Sequence, residues 1–215
     1  MSLTLYFHPL SSFCMKAVVG LYELDVPFAK KLVDLSNAAE RAAFAELWPM
    51  GKFPVLRDDA RAVTIPESSI VLEYVDARYA RGARVIPSDP DRALACRLRD
   101  RFYDLYVNAP TGKIVTDKLR KEGQRDAFGV AEAKAQLETA YAIADDELRD
   151  GPWAVGDAFT LADCAAAPAL FYASKVVPFG DERRHLASYF ARLRERPSFA
   201  RVLEEAKPYL AMFPG

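Results

Sequence analysis

Cysteine, histidine and tryptophan are scarce in this chain: three, two and two among 215 residues. Three scattered cysteines, Cys14, Cys96 and Cys164, cannot build a disulfide framework, and a reducing cytoplasm is the expected compartment. Two isolated histidines, with no Cys/His cluster at ligand spacing, argue against a dedicated metal site. No apolar run approaches the ~18 residues of a membrane span. The first five residues lack the basic start and apolar stretch of a signal peptide, so no membrane association is expected. A formal net charge of -1 offers no basic surface to nucleic acid or anionic lipid. What is present is ordinary for a globular protein: 51% hydrophobic and 27% charged residues, enough for a sizeable core. There is no internal repeat and no low-complexity segment.

The pattern changes character near residue 82. Before it, Leu3, Leu5 and Phe7 alternate with polar neighbours, a strand of period two. Phe13, Ala17, Leu21 and Leu24 then recur at helical spacing. Phe28–Leu35 reads as a second strand, Ala38–Leu47 as a helix, Pro54–Arg57 and Ala62–Ile65 as two short strands, and Glu67–Tyr79 as a closing helix. The order β-α-β-α-β-β-α predicts an α/β layer with a right-handed crossover. Pro87-Ser88-Asp89-Pro90 then interrupts the chain, and the rest is helical: Asp91–Leu119, Asp126–Arg149, and helices from about 161 to 176, 182 to 194 and 198 to 210. Thr160 and Asp163 form a capping-box-like pair at the start of one of them. The expected organisation is an α/β unit over 1–81 and an all-α unit over 88–215.

Ser11-Ser12-Phe13-Cys14 stands where the first strand meets the first helix. The opening N–H groups of a helix lack intrahelical partners, and its dipole favours negative charge, so a thiolate suits this place. The spacing copies the C-x-x-C of dithiol redox proteins with a hydroxyl in the first position, which moves the expected chemistry from disulfide exchange to thiolate binding. Without a partner thiol at position 11, Cys14 reads as a small packing residue, with a mixed disulfide as the lesser alternative. Taken alone, Ser11 is equally a plain N-cap and Pro54 a trans, strand-initiating proline.

Four segments in order resemble the cytosolic glutathione S-transferase family in its serine-type, bacterial-like form. They are Ser11-Ser12-Phe13-Cys14, Gly51-Lys52-Phe53-Pro54-Val55-Leu56, Pro66-Glu67-Ser68-Ser69-Ile70 and Val155-Gly156-Asp157-Ala158-Phe159-Thr160-Leu161-Ala162-Asp163. The resemblance spans essentially the whole chain. It implies a thioredoxin-like N-terminal domain that binds glutathione and an all-helical C-terminal domain that binds the second substrate. It implies that Ser11, or Ser12 if the register differs by one, donates a hydrogen bond to the glutathione sulfur. It turns the expectation for Phe53-Pro54 to cis, with the Phe53 backbone pairing to the tripeptide. It gives Glu67 and Ser68 the γ-glutamyl end and Lys52 the glycyl carboxylate.

The electrophile pocket is expected from Arg99, Phe102, Tyr103 and Tyr106 on the first long helix, opposite Phe7, Leu10 and Phe13. By burial preference alone that aromatic stripe would be core. The tail from Tyr209 to Phe213 is expected near the site. The implied activity is detoxifying transfer of glutathione, as co-substrate and without a metal, to a small hydrophobic electrophile. A cytoplasmic homodimer is implied as well. Two other readings stand beside it: a glutathione-dependent isomerase of a maleyl-type substrate, for which Arg99 or Lys113 is the only basic hint, and a non-enzymatic glutathione-binding or regulatory protein.

Overall fold

A computed structural model describes residues 2–214. The N-terminal domain is a four-stranded mixed sheet flanked by helices. Its elements are β1 (Leu3–Phe7), α1 (Ser12–Glu23), β2 (Ala29–Leu32), α2 (Ala38–Leu47), β3 (Val55–Asp58), β4 (Val63–Pro66) and α3 (Ser68–Tyr79). The sheet order is β2-β1-β3-β4. β1 runs parallel to β2 and antiparallel to β3, and β3 runs antiparallel to β4. Leu3 and Leu5 are buried between half-exposed Thr4 and Tyr6, as the alternation predicts. β2 is shorter than its apolar pattern suggests. It is an exposed edge strand carrying Lys30 and Lys31, residues that discourage pairing with another chain.

α1 and α3 pack on one face of the sheet, and Gly20 makes that packing close. A Cβ there would lie 2.4 Å from Leu72 Cδ2, so only glycine fits without displacing a buried leucine. On the other face α2 buries Phe44 against Val33 and Val55 in a smaller core.

The C-terminal domain consists of α4 (Pro90–Phe102), a π-helical turn (Tyr103–Asn108), α5 (Ala109–Lys118), α6 (Ala127–Glu147), α7 (Leu161–Val176), α8 (Arg184–Glu195), α9 (Pro197–Ala206) and a terminal 3-10 turn (Lys207–Met212). The expected single helix over Asp91–Leu119 is therefore continuous but changes winding midway. Pro110 supplies the reason. It has no N–H for the Tyr106 carbonyl, and its ring would crowd that carbonyl in a regular α-helix. The wider turn avoids this: Ala109 N–H bonds to Asp104 O, five residues back. α7 is rich in buried alanines, which let α1 lie close against it, and one apolar core runs through both domains. Asp163 is buried at the start of α7. It accepts from Thr160 N at 2.7 Å, Ala154 N at 2.8 Å and Tyr189 Oη at 2.7 Å, which is a structural role.

A buried ion cluster joins the domains. Lys16 Nζ on α1 lies 2.5 Å from Asp100 Oδ1 and 2.7 Å from Asp104 Oδ2, and donates to Ser69 Oγ on α3 at 2.8 Å. Ser69 Oγ donates in turn to Asp100 Oδ2 at 2.8 Å. Arg101, half-exposed, closes the cluster on Asp104. Lys16 is 1% exposed, Asp100 2% and Asp104 4%, so none of these three is solvated in the ordinary way. Burial pushes the Asp104 carboxyl above its usual range, against the pull of Lys16. Removing one partner of a buried pair leaves an uncompensated charge and typically costs about 3–5 kcal/mol. Lys16→Met is expected to lose about that much stability in urea unfolding at neutral pH, and Asp100→Asn added to it should recover part of the loss. A loss below about 1 kcal/mol, the scale of a solvated pair, would contradict this role.

Candidate functional site

Sheet register brings three loops to one end of the N-terminal domain. Tyr6 pairs with Val55, and Val55 pairs with Pro66. The segment after β1, the segment before β3 and the segment after β4 therefore share one edge. They carry Ser11 and Ser12, Lys52 to Pro54, and Glu67 and Ser68.

Ser11 is the N-cap of α1. Its Oγ accepts from Cys14 N at 3.3 Å, and its N–H donates to His8 O at 3.0 Å. A hydroxyl has one donor and two acceptor lone pairs, so the cap leaves the Ser11 proton available to a ligand. The Ser12 and Phe13 N–H groups take no backbone partner among the described residues. Hydroxyl, orphan amides and helix dipole all favour negative charge at this point. The plain-cap reading and the thiolate reading of Ser11 are thus compatible.

Cys14 faces inward. It is fully buried, accepts from His8 N at 3.5 Å, and burial pushes its thiol up to about 12. At neutral pH it is a protonated, inaccessible thiol, which removes the mixed-disulfide alternative. Burial also lowers the His8 pKa, against the opposing effect of Asp34. His8 Nδ1 accepts from Leu10 N at 3.2 Å, which assigns the proton of the neutral ring to Nε2. The ring stacks on Phe53 at 6.0 Å between centroids and meets the edge of Tyr209 at 5.7 Å. The tail thus reaches the Ser11 loop, and Phe213 stacks on Tyr172, whose hydroxyl donates to Leu10 O at 2.8 Å.

The Phe53-Pro54 bond is cis. The Phe53 N–H and C=O take no backbone partner among the described residues, so both are offered to the edge shared by the loops. Lys52 is exposed at the rim. Glu67 has φ +69°, uncommon for a non-glycine residue and characteristic of ligand sites, and its side chain does not cap α3. Simple capping by Glu67 therefore does not account for the residue. The opening amides of α3, from buried Ser68 onward, lack a side-chain cap.

The residues expected around the electrophile do not share one wall in the structure. Phe13 lies at the close junction of α1 with the helical domain, beside Ser12, Lys16, Asp104, Asn108 and Pro168. Arg99 pairs with Glu147 on α6. Phe102 and Tyr103 are buried, with ring centroids 5.4 Å apart, and half-exposed Tyr106 packs on Phe102 at 5.7 Å. Phe7 turns instead towards Met15, Val18 and Val202. Leu10 contributes its carbonyl to Tyr172. The face that meets α1 carries Asp100, Asp104 and Asn108, four residues apart. That spacing is visible in the sequence, but three polar residues do not announce a buried face.

A roomy hollow lies elsewhere, between the end of α1, the segment leading to β2 and the start of α9. Its arginines are engaged: Arg196 holds Glu23 at 2.6 Å and Arg201 holds Glu205 at 3.2 Å. Among the described residues no group of three or more His, Cys, Asp or Glu could hold a metal, and no helix is long and apolar enough to cross a membrane.

Comparison with known proteins agrees with this architecture. The family model of the glutathione S-transferase N-terminal domain matches residues 5–83, and that of the C-terminal domain matches 102–197. The chain is 27% identical over 202 residues to the glutathione S-transferase GstB of Escherichia coli K12, covering 94% of this chain and 97% of that protein. It is 27% identical over 214 residues to a glutathione S-transferase of Hyoscyamus muticus, covering 95% and 99%. A glutathione S-transferase from Methylobacillus flagellatus, solved with glutathione bound, superposes with a TM-score of 0.84 at 26% identity, covering 94% of this chain and 98% of that one. Another from Methylobacterium radiotolerans, in complex with glutathione sulfonate, gives 0.82 at 27%, covering 93% of each. With both family domains in order and the fold shared from end to end, the chain belongs to the glutathione S-transferase family.

Proposed function

We propose that the chain binds glutathione at the loop edge of its N-terminal domain, holds it as the thiolate, and transfers it to an apolar electrophile. The observation that carries this is the convergence of three loops, each with unpaired polar groups, around the N-terminus of α1. Ser11 Oγ–H and the Ser12 and Phe13 amides meet the sulfur. The Phe53 backbone pairs with the tripeptide, Glu67 and Ser68 take its γ-glutamyl end, and Lys52 takes its glycyl carboxylate. Residues 1–81 hold glutathione and 88–215 supply the second substrate's surface.

The magnitudes are adequate. Lowering a thiol of pKa ~8.5 by about two units needs about 2.7 kcal/mol. A hydrogen bond to a charged group gives about 1.5–3 kcal/mol, and a helix terminus about 0.3–1 kcal/mol more. A maleyl-type substrate would need free positive charge, but Arg99 is held by Glu147 and Lys113 by Asp126. The unpaired, buried cysteines suit a cytoplasmic protein. Ser11→Ala is expected to lower kcat/KM for conjugation about 10–100-fold at neutral pH while glutathione still binds, and Ser12→Ala to change it less than about threefold. Wild-type rates in Ser11→Ala would reject the assignment. Tight binding of glutathione with no conjugation by the native protein would favour the non-enzymatic reading.

We also infer a homodimer through the α3/α4 face, where Ile70, Leu94, Leu98 and Leu105 are all more than half exposed. Arg97 on α4 grips Glu73 on α3 at 2.8 Å and keeps that face continuous. A cluster of this kind on one face marks an association surface. Leu98→Glu should convert a sedimenting dimer to monomer, and an unchanged sedimentation coefficient would rule the face out.

A further inference from the structure

We propose that His8 is a positioning residue for Ser11: its Nδ1 holds the turn that carries the Ser11 hydroxyl, and its ring ties that turn to the Phe53 loop. This rests on the thiolate reading of Ser11 above and adds the residue that fixes the hydroxyl in place.

Four residues, His8 to Ser11, join β1 to α1. The backbone that leads into Ser11 is pinned at consecutive polar atoms. Leu10 N donates to His8 Nδ1 at 3.2 Å, Leu10 O accepts from Tyr172 Oη at 2.8 Å, and Ser11 N donates to His8 O at 3.0 Å. His8 N in turn donates to Cys14 Sγ at 3.5 Å, one turn into α1. The contact at Nδ1 is the one that depends on what side chain stands at position 8. A hydroxyl displaced by about 1 Å loses most of its effect on a bound reactant, so this anchor bears on the chemistry without touching it.

The same ring reaches two other segments. Its face stacks on Phe53 at 6.0 Å between centroids, and its side meets Tyr209 at 5.7 Å. Phe53 is the residue whose backbone is proposed to pair with the tripeptide. One side chain therefore links the loop that meets the sulfur to the loop that meets the peptide. The tail covers both anchors of Leu10, with Tyr209 against His8 and Phe213 stacked on Tyr172 at 5.0 Å.

An acceptor at Nδ1 requires a neutral ring with its proton at Nε2. The titratable groups around the ring are Asp34 beyond β2, Tyr209 on the terminal turn and Cys14 on α1. Burial lowers the His8 pKa more than Asp34 raises it, so the ring is neutral at neutral pH. A proton at Nδ1 would set N–H against the Leu10 N–H and release the turn.

The test reads the ultraviolet thiolate absorbance of glutathione bound to the full chain. His8→Phe keeps a ring against Phe53 and Tyr209 but removes the acceptor. It is expected to raise the bound thiol's pKa by about one unit, a tenfold loss of thiolate well below that pKa. His8→Asn removes the ring but keeps an acceptor for the N–H two residues on, as in an Asx turn, and is expected to recover most of that rise. If His8→Phe does not fold, nitrogen-15 shifts of the native protein with glutathione bound carry the test, with only His185 beside His8 in the spectrum. They are expected to place the His8 proton at Nε2 at neutral pH, and a proton at Nδ1 would overturn the inference. An unchanged thiol pKa in His8→Phe would overturn it too, as would an equal rise in both variants. Where Ser11→Ala raises the thiol pKa and His8→Phe does not, this inference falls alone. Where neither does, the thiolate reading of Ser11 falls with it.

Discussion

The Lys16 ammonium fixes the geometry on which the site depends. It contacts α3 through Ser69, α4 through Asp100 and the π turn through Asp104. One helical turn before it lies Ser12, at the start of α1, and next to Ser69 lies Ser68, at the start of α3. Whatever holds Lys16 therefore holds the starts of α1 and α3, the two helix N-termini proposed to meet glutathione, against the first long helix of the C-terminal domain. A cluster of this kind is a poor source of net stability, because desolvation offsets most of the attraction. We infer that its contribution is positional. An apolar replacement could pack as well, but it would not tie three helices to one point.

The same helix start serves two purposes without conflict. Ser11 satisfies Cys14 N with a lone pair and keeps its proton, so the fold and the chemistry use different halves of one hydroxyl. Cys14 lies below it as packing, and its raised pKa removes it from thiolate chemistry at neutral pH. The helical domain packs against α1 through Asp100 and Asp104, which match the Lys16 charge.

Much of this was legible in the sequence. The alternation of Leu3 and Leu5 and the helical spacing from Phe13 to Leu24 depend on local burial, which sequence pattern records well. The loop motifs picked out the three segments that the sheet register brings to one edge, because turns and caps are written in local residue types. The packing of the first long helix was not legible, because the face that meets α1 is polar and the winding changes to a π turn midway. Lys16, Asp100 and Asp104 look like surface residues until their partners across the domains, from 31 to 88 positions away, are known. Nor could pattern alone give the cis bond at Pro54 or the positive φ of Glu67, since both answer to tertiary context.

The central claim is that the start of α1, through Ser11, stabilises a bound thiolate. It is tested most directly by titrating the ultraviolet thiolate absorbance of glutathione bound to the native protein and to Ser11→Ala. The account predicts a thiol pKa below that of free glutathione in the native complex, and a value about one to two units higher in the variant, with binding retained in both. Equal pKa values in the two complexes would contradict it.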